Sequence, residues 1–185
     1  MPNNLAQNTM KKILLLVTSF LFTVSLWGQT INADGIRTLS TSRMDFANPS
    51  RLTSVSFQFF ASAENGKGLE NAAISVLVRF DGTLSTTINE NQHLLIKLND
   101  NSIVKLISSQ RETFRQGYVM SPQYRINHAD LEKMASVGMN KIRVFTSTGF
   151  RDIEKTNNEF DSALKNQFDR LNRELSTFFD ITSGF

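Results

Sequence analysis

The chain has 185 residues, no cysteine, 40% apolar residues, and 20 Lys and Arg against 17 Asp and Glu. Without cysteine there is no disulfide framework, no thiolate metal site, no cysteine nucleophile and no lipid-modified cysteine behind a leader. The near balance of charge, with no block of one sign, argues against nucleic-acid binding, which uses a concentrated basic face.

Met10-Lys11-Lys12, the apolar run Ile13 to Trp27 and then Gly28-Gln29 read as a cleavable secretory signal over residues 1–28. Its core, Ile13 to Leu26, has the length of a signal core and falls short of the roughly 20 residues that span a bilayer. Cleavage is expected after Gly28, although Leu26 stands where a small residue is usual. Met1 to Thr9 carries no charge and adds nothing to the signal, so Met10 is a candidate start. Loss of Lys11 and Lys12 with the leader leaves 18 basic residues against 17 acids. The remaining residues, 29–185, suffice for one domain that buries roughly two thirds of its unfolded surface. The expected location is the periplasm or the cell exterior, with neither a lipid anchor nor a membrane span.

Residues 29–50, rich in Thr, Ser, Asn and Arg, read as an extended lead-in with one strand near Gly35 to Leu39; residues 51–185 read as the domain itself. Val55, Phe57 and Phe59 alternate with Ser54, Ser56 and Gln58, the period of a strand with one buried face. Glu64 to Gly68 is a turn, and Ala73 to Phe80 is a nearly continuous apolar strand suited to the middle of a sheet. Asp81-Gly82 ends it, and Thr83 to Ile88 reads as a short polar strand. His93 to Leu98, the turn Asn99 to Ser102 and Ile103 to Ile107 form a hairpin. Its second arm buries either Ile103, Lys105 and Ile107 or the alternate pair Val104 and Leu106.

Residues 110–117 read as a charged connection. Tyr118 to Ile126 reads as a strand broken by Ser121-Pro122, which points to an edge or a bulge. Asn127 caps a short helix, His128 to Val137, that stops at Gly138. Lys141 to Thr146 is a strand. Asn157 or Asn158 then caps a long helix whose apolar stripe is Phe160, Leu164, Phe168, Leu171, Leu175 and Phe178. Its other side, with Asp161, Lys165, Asp169, Arg173 and Glu174, is expected to face water, with i,i+4 pairs of Asp161 with Lys165 and Asp169 with Arg173. Whether the stripe is covered within one chain or by a second copy is left open.

The only histidines, His93 and His128, have no metal-binding partners at a suitable spacing beyond Asp130 and Glu132, the latter four residues after His128, and acids near the start of a helix are explained by the helix dipole. No Gly-x-Ser-x-Gly elbow, phosphate loop or dinucleotide turn occurs, so neither a catalytic residue nor a cofactor is assigned. Asp152 and Glu154 share a face of one strand, yet Arg151 and Lys155 flank them in the alternating charge of a protected sheet edge. Phe at alternating and helical spacings is core. The candidate binding residues that remain are Tyr118 and Tyr124, with Arg115 and Arg125, in the irregular strand.

The stretch from LLIKLNDNSIVKL through YRINHADLEKMASVGMNKIRVFTSTGFRDIE is similar to small exported Bacteroidetes domains of unknown function. There a hairpin, a strand, a short capped helix and a further strand precede a C-terminal helix. The likeness covers about residues 93–175 and is one of element order. It implies export and fold and transfers no catalytic residue.

The expected fold is α+β: an antiparallel sheet of six or seven strands, with the Asn127 helix as connector and the last helix across one face. The alternative is a β-sandwich or barrel with an appended helix. The expected function is a non-catalytic envelope module that binds a partner protein or ligand; a periplasmic hydrolase with dispersed carboxylates and a barrel-like carrier of an apolar molecule are the alternatives.

Overall fold

The computed structural model describes residues 29–31, 35–47, 53–82, 86–114 and 119–177. The expected leader lies outside them. Thirteen strands and two α-helices, α1 (His128–Val137) and α2 (Phe160–Ser176), make up the described chain, with a 3₁₀ turn at Leu69–Asn71. The class is α+β, and every strand pairing is antiparallel.

The strands are β1 (Gln29–Ile31), β2 (Ile36–Ser40), β3 (Met44–Ala47), β4 (Thr53–Glu64), β5 (Ala73–Gly82), β6 (Thr86–Ile88), β7 (His93–Leu98), β8 (Ile103–Ser108), β9 (Glu112–Phe114), β10 (Val119–Met120), β11 (Gln123–Ile126), β12 (Met139–Thr146) and β13 (Gly149–Glu154). The open sheet runs β1-β2-β4-β5-β11-β8-β7-β12-β13, with β3 beside β4 and β10 beside β5, while β6 and β9 form a separate ribbon. This sheet therefore has eleven strands instead of six or seven.

Much of the excess comes from the lead-in, which supplies β1, β2 and β3. Leu39, Met44, Phe46 and Ala47 from it are all buried. Its alternation is hidden in the sequence because a polar residue takes one core-facing position. Arg37 is buried there and its Nη1 donates to the carbonyls of Glu174 and, at 2.8 Å, Thr177. It thus satisfies carbonyls that the C-terminus of α2 would otherwise leave unpaired.

The irregular strand is central, not an edge: β11 lies between β5 and β8. Pro122 falls in the break between β10 and β11, where its carbonyl accepts from Val78 N at 3.0 Å and its missing N–H costs the ladder nothing. The charged connection likewise contains a strand, β9, paired with β6.

One face of the sheet is the core face. Val55, Phe57, Phe59 and Ala61 on β4 and Ile74, Val76, Val78 and Phe80 on β5 are buried at opposed register positions. In the β7–β8 hairpin the buried set on the second arm is Val104 and Leu106, leaving Ile103 and Ile107 exposed on the other side. Phe46, Phe57 and Phe160 meet edge to face with centroids 5.1–5.6 Å apart, which ties β3, β4 and α2 together.

The cap of α1 follows its chemistry. Asn127 Oδ1 accepts from Asp130 N at 2.8 Å, and α1 ends at Gly138 with φ +82°. At α2 the N-cap position is held by Glu159, without a side-chain cap, and not by Asn157 or Asn158; Asn157 shapes the turn before it, its Oδ1 accepting from Glu159 N at 3.0 Å and its Nδ2 donating to Asp45 O at 2.6 Å. Phe160, Leu164, Leu171 and Leu175 are buried, so this helical stripe is covered within the chain. Phe178 lies outside the described residues.

Asp161 does not face water as a partner of Lys165. Its carboxylate accepts from Met139 N at 3.0 Å and from Asn99 Nδ2 at 3.2 Å, and it pairs with Lys155. The i,i+4 pair that forms on α2 is Arg170 with Glu174, at 3.7 Å. Among the described residues no helix is long and apolar enough to cross a membrane.

Candidate functional site

The helices cover one face of the sheet and leave the opposite face of β8, β7, β12 and β13 to solvent. Register sets which side chains are neighbours there. One cross-strand row runs Glu154, Lys141, Lys97, Ile103; the next runs Asp152, Arg143, Leu95, Lys105. Arg125 of β11 stands opposite Ile107, and Phe150 opposite Phe145.

This outer face carries five cations (Lys97, Lys105, Arg125, Lys141 and Arg143) and two carboxylates. Both carboxylates are already engaged. Arg143 grips Asp152 in a two-bond fork, with Nε and Nη2 donating at 2.6 and 2.8 Å, while its guanidinium lies 4.3 Å from the centre of the Phe150 ring. Lys141 reaches both Asp152 and Glu154 at 3.4 Å. The guanidinium fork holds the Asp152 carboxyl down to about 2, with Lys141 adding to the effect.

Lys97 and Lys105 have no carboxylate partner among the described residues. The register places Lys97 directly opposite Lys141, a like-charge pair that destabilises a sheet by a few tenths of a kcal/mol or more. Leu95, Lys97, Ile103, Lys141, Arg143 and Asp152 line an open groove of about 290 Å³. Three cations and one carboxylate thus surround an aliphatic floor, an arrangement suited to an oxyanion carried on an apolar body.

The candidate residues from the irregular strand separate. Arg115 and Tyr118 lie outside the described residues. Tyr124 is fully buried on the core face, its hydroxyl has no hydrogen-bond partner among the described residues, and burial pushes its pKa up. It belongs to the core and is no surface platform. The reason is β11's central place in the sheet, which sends alternate side chains inward. Arg125 is exposed, on the outer face.

His128 packs near Phe168, with ring centroids 5.8 Å apart. Among the described residues no group of three or more His, Asp or Glu is placed to hold a metal ion. Asp152 and Glu154 do lie on an edge strand, β13, where the alternating charge protects against self-pairing: central registers of β13 against itself set Arg151 on Arg151 or Asp152 on Asp152.

The sequence reading missed Leu95, Lys97, Ile103, Lys141 and Arg143 as a group. One signal was present: Ile103-Val104-Lys105-Leu106-Ile107 is apolar at alternate positions on both faces, so either choice of buried face leaves aliphatic side chains in solvent, and burying Val104 and Leu106 leaves Ile103 and Ile107 beside Lys105. Comparison with protein-family models, with curated proteins and with solved structures finds no match.

Proposed function

We propose that this chain is an exported, non-catalytic binding module of the cell envelope that holds an anionic, partly apolar partner on the outer face of its sheet. Export rests on the leader ending at Gly28 and on the likeness to small exported Bacteroidetes domains. The observation that carries the binding surface is the surplus of cations on that face. Five cations meet two carboxylates already engaged by Arg143 and Lys141, and Ile103, Ile107 and Phe150 stand exposed around them, at 62%, 42% and 58% of their surface. An apolar residue left in water beside an unneutralised lysine adds nothing to folding, whereas both gain from an amphipathic anion.

The test is an amide NMR titration of the isotope-labelled protein with lipid, polysaccharide and acidic-protein fractions of the host envelope. At least one fraction is expected to shift amides of residues 95–107, 123–125 and 141–154, with the shifts weakening as salt is raised. Shifts confined to α1 and α2, or no shift with any fraction, would overturn the reading.

A further inference from the structure

We propose that the groove between Lys97 and Lys141 binds the head group of a single-chain anionic amphiphile, with its apolar chain laid over Leu95 and Ile103. The inference rests on the outer face being the binding surface and names the class of its occupant.

Three features of the groove fit together. The first is the pair of lysines set opposite each other by register, with Lys141 drawn to Asp152 and Glu154 of β13 and Lys97 left without a carboxylate. An oxyanion lodged between them would turn a repulsive cross-strand contact into two attractive ones, a gain available only in the complex.

The second is the fixed position of Arg143. Its fork on Asp152 and its contact with Phe150 hold the guanidinium at the groove wall, so one cation of the lining is positioned before any ligand arrives. The third is the floor. Leu95 of β7 and Ile103 of β8 are apolar at outward positions, and among the described residues Ile103 is the most exposed of the large hydrophobic side chains. A bare inorganic anion would leave this floor in water, while a neutral chain would leave the lysines unpaired; a molecule with both parts satisfies both. At about 290 Å³ the groove accommodates one head group and a short length of chain, near the lower end of small-ligand sites.

Carboxylate and phosphate heads share this chemistry, so octanoate and octyl phosphate are the probes, each kept below its aggregation concentration, with inorganic phosphate and octanol as half-ligands. Isothermal titration and amide shifts are expected to show saturable binding of at least one amphiphile at the groove, and neither half-ligand within tenfold of it. Lys97→Gln is expected to weaken the amphiphile by about fivefold, the scale of one charge-assisted contact near solvent. Its urea midpoint should be unchanged or higher, because the like-charge contact is gone. Lys165→Gln, on the exposed side of α2, should leave binding as it was.

Several outcomes would overturn the proposal: phosphate alone binding as well as octyl phosphate, binding unaffected by Lys97→Gln, or binding only to vesicles of anionic phospholipid and not to the monomeric amphiphile. If envelope fractions shift the outer-face amides while both amphiphiles fail, the occupant is wrong and the surface stands. If neither binds there, the reading of the surface fails with it.

Discussion

Replacing Asp161 by Ala should destabilise the protein by about 3 kcal/mol, although the sequence marks it as a solvated helix position. Its carboxylate accepts the N–H of Met139, a fully buried residue, at 3.0 Å, and it joins the start of α2 to Asn99 of the hairpin turn and to Lys155. Leaving the Met139 donor without an acceptor costs about 1–3 kcal/mol. Losing the partly buried pair with Lys155 adds up to about 1 kcal/mol. Urea denaturation followed by circular dichroism, with a slope of about 2 kcal/mol/M for a domain of this size, should show the midpoint falling by about 1–2 M. Asp161→Asn keeps an acceptor for Met139 but loses the charge and the second acceptor oxygen that serves Asn99 and Lys155, so it should fall between wild type and Asp161→Ala. Asp169→Ala, exposed on the same helix, should stay within about 0.5 kcal/mol of wild type. Asp161→Ala no less stable than Asp169→Ala would refute the assignment of Asp161 as the anchor of the helix.

The same junction makes Gly138 sensitive: its φ of +82° with ψ of 161° suits glycine alone, and an added Cβ would lie 2.5 Å from Asn99 Nδ2 and 2.6 Å from Asp161 Oδ2. Gly138→Ala should therefore cost about 2 kcal/mol or more in the same urea assay, and a loss under 0.5 kcal/mol would contradict the tight packing. Tyr124 should stay protonated in the folded state well past pH 10, because burial raises its pKa. A phenol raised on folding lends stability that is intact below its unfolded pKa and is lost as pH climbs above it. In a Tyr118→Phe variant, where Tyr124 is the only tyrosine, phenolate absorbance should rise together with loss of the circular-dichroism signal; ionisation near pH 10 in the still-folded protein would count against its burial. The Asp152 carboxyl should titrate near pH 2 by carbon-detected NMR and move back toward 4 in Arg143→Met, since the Arg143 fork is the main cause of its depression. Its small stabilising effect is complete above pH 4 and fades between pH 4 and 2.

What the sequence discloses is what neighbours along the chain decide. Asn127 and Gly138 bound α1 because capping uses groups within a few residues, and the 3.6-residue stripe from Phe160 to Leu175 predicts which side of α2 is buried. The β7–β8 hairpin is legible for the same reason. The lead-in strands are hidden because Arg37 occupies an inward position, and only the distant C-terminus of α2 explains why a guanidinium sits there. Pro122 points to an edge by a sound rule, but the break falls between β10 and β11, so the strand is central and Tyr124 is core. Asp161 looks solvated because its partner donors come from other elements. The outer-face groove is hidden for a further reason: whether Lys97 meets Lys141, Glu154 or neither depends on strand order and register, which no single strand records.

That register also supplies the sharpest test of why Lys97 is a lysine. In a row reading Glu154, Lys141, Lys97, Ile103, an acid at position 97 would complete an alternation of charge. Folding alone therefore favours Lys97→Glu: exchanging a repulsive cross-strand pair for an attractive one is worth about 0.5–1 kcal/mol at an exposed position. Where a local choice runs against the stability of the fold, a functional demand is the usual cause. The variant should accordingly show a higher urea midpoint than wild type and lose octyl phosphate binding, since its carboxylate would occupy the position where the head group is held. A Lys97→Glu protein that is less stable than wild type would show that Lys97 serves the fold. One that binds the amphiphile undiminished would show that the lysine pair does not hold the anion.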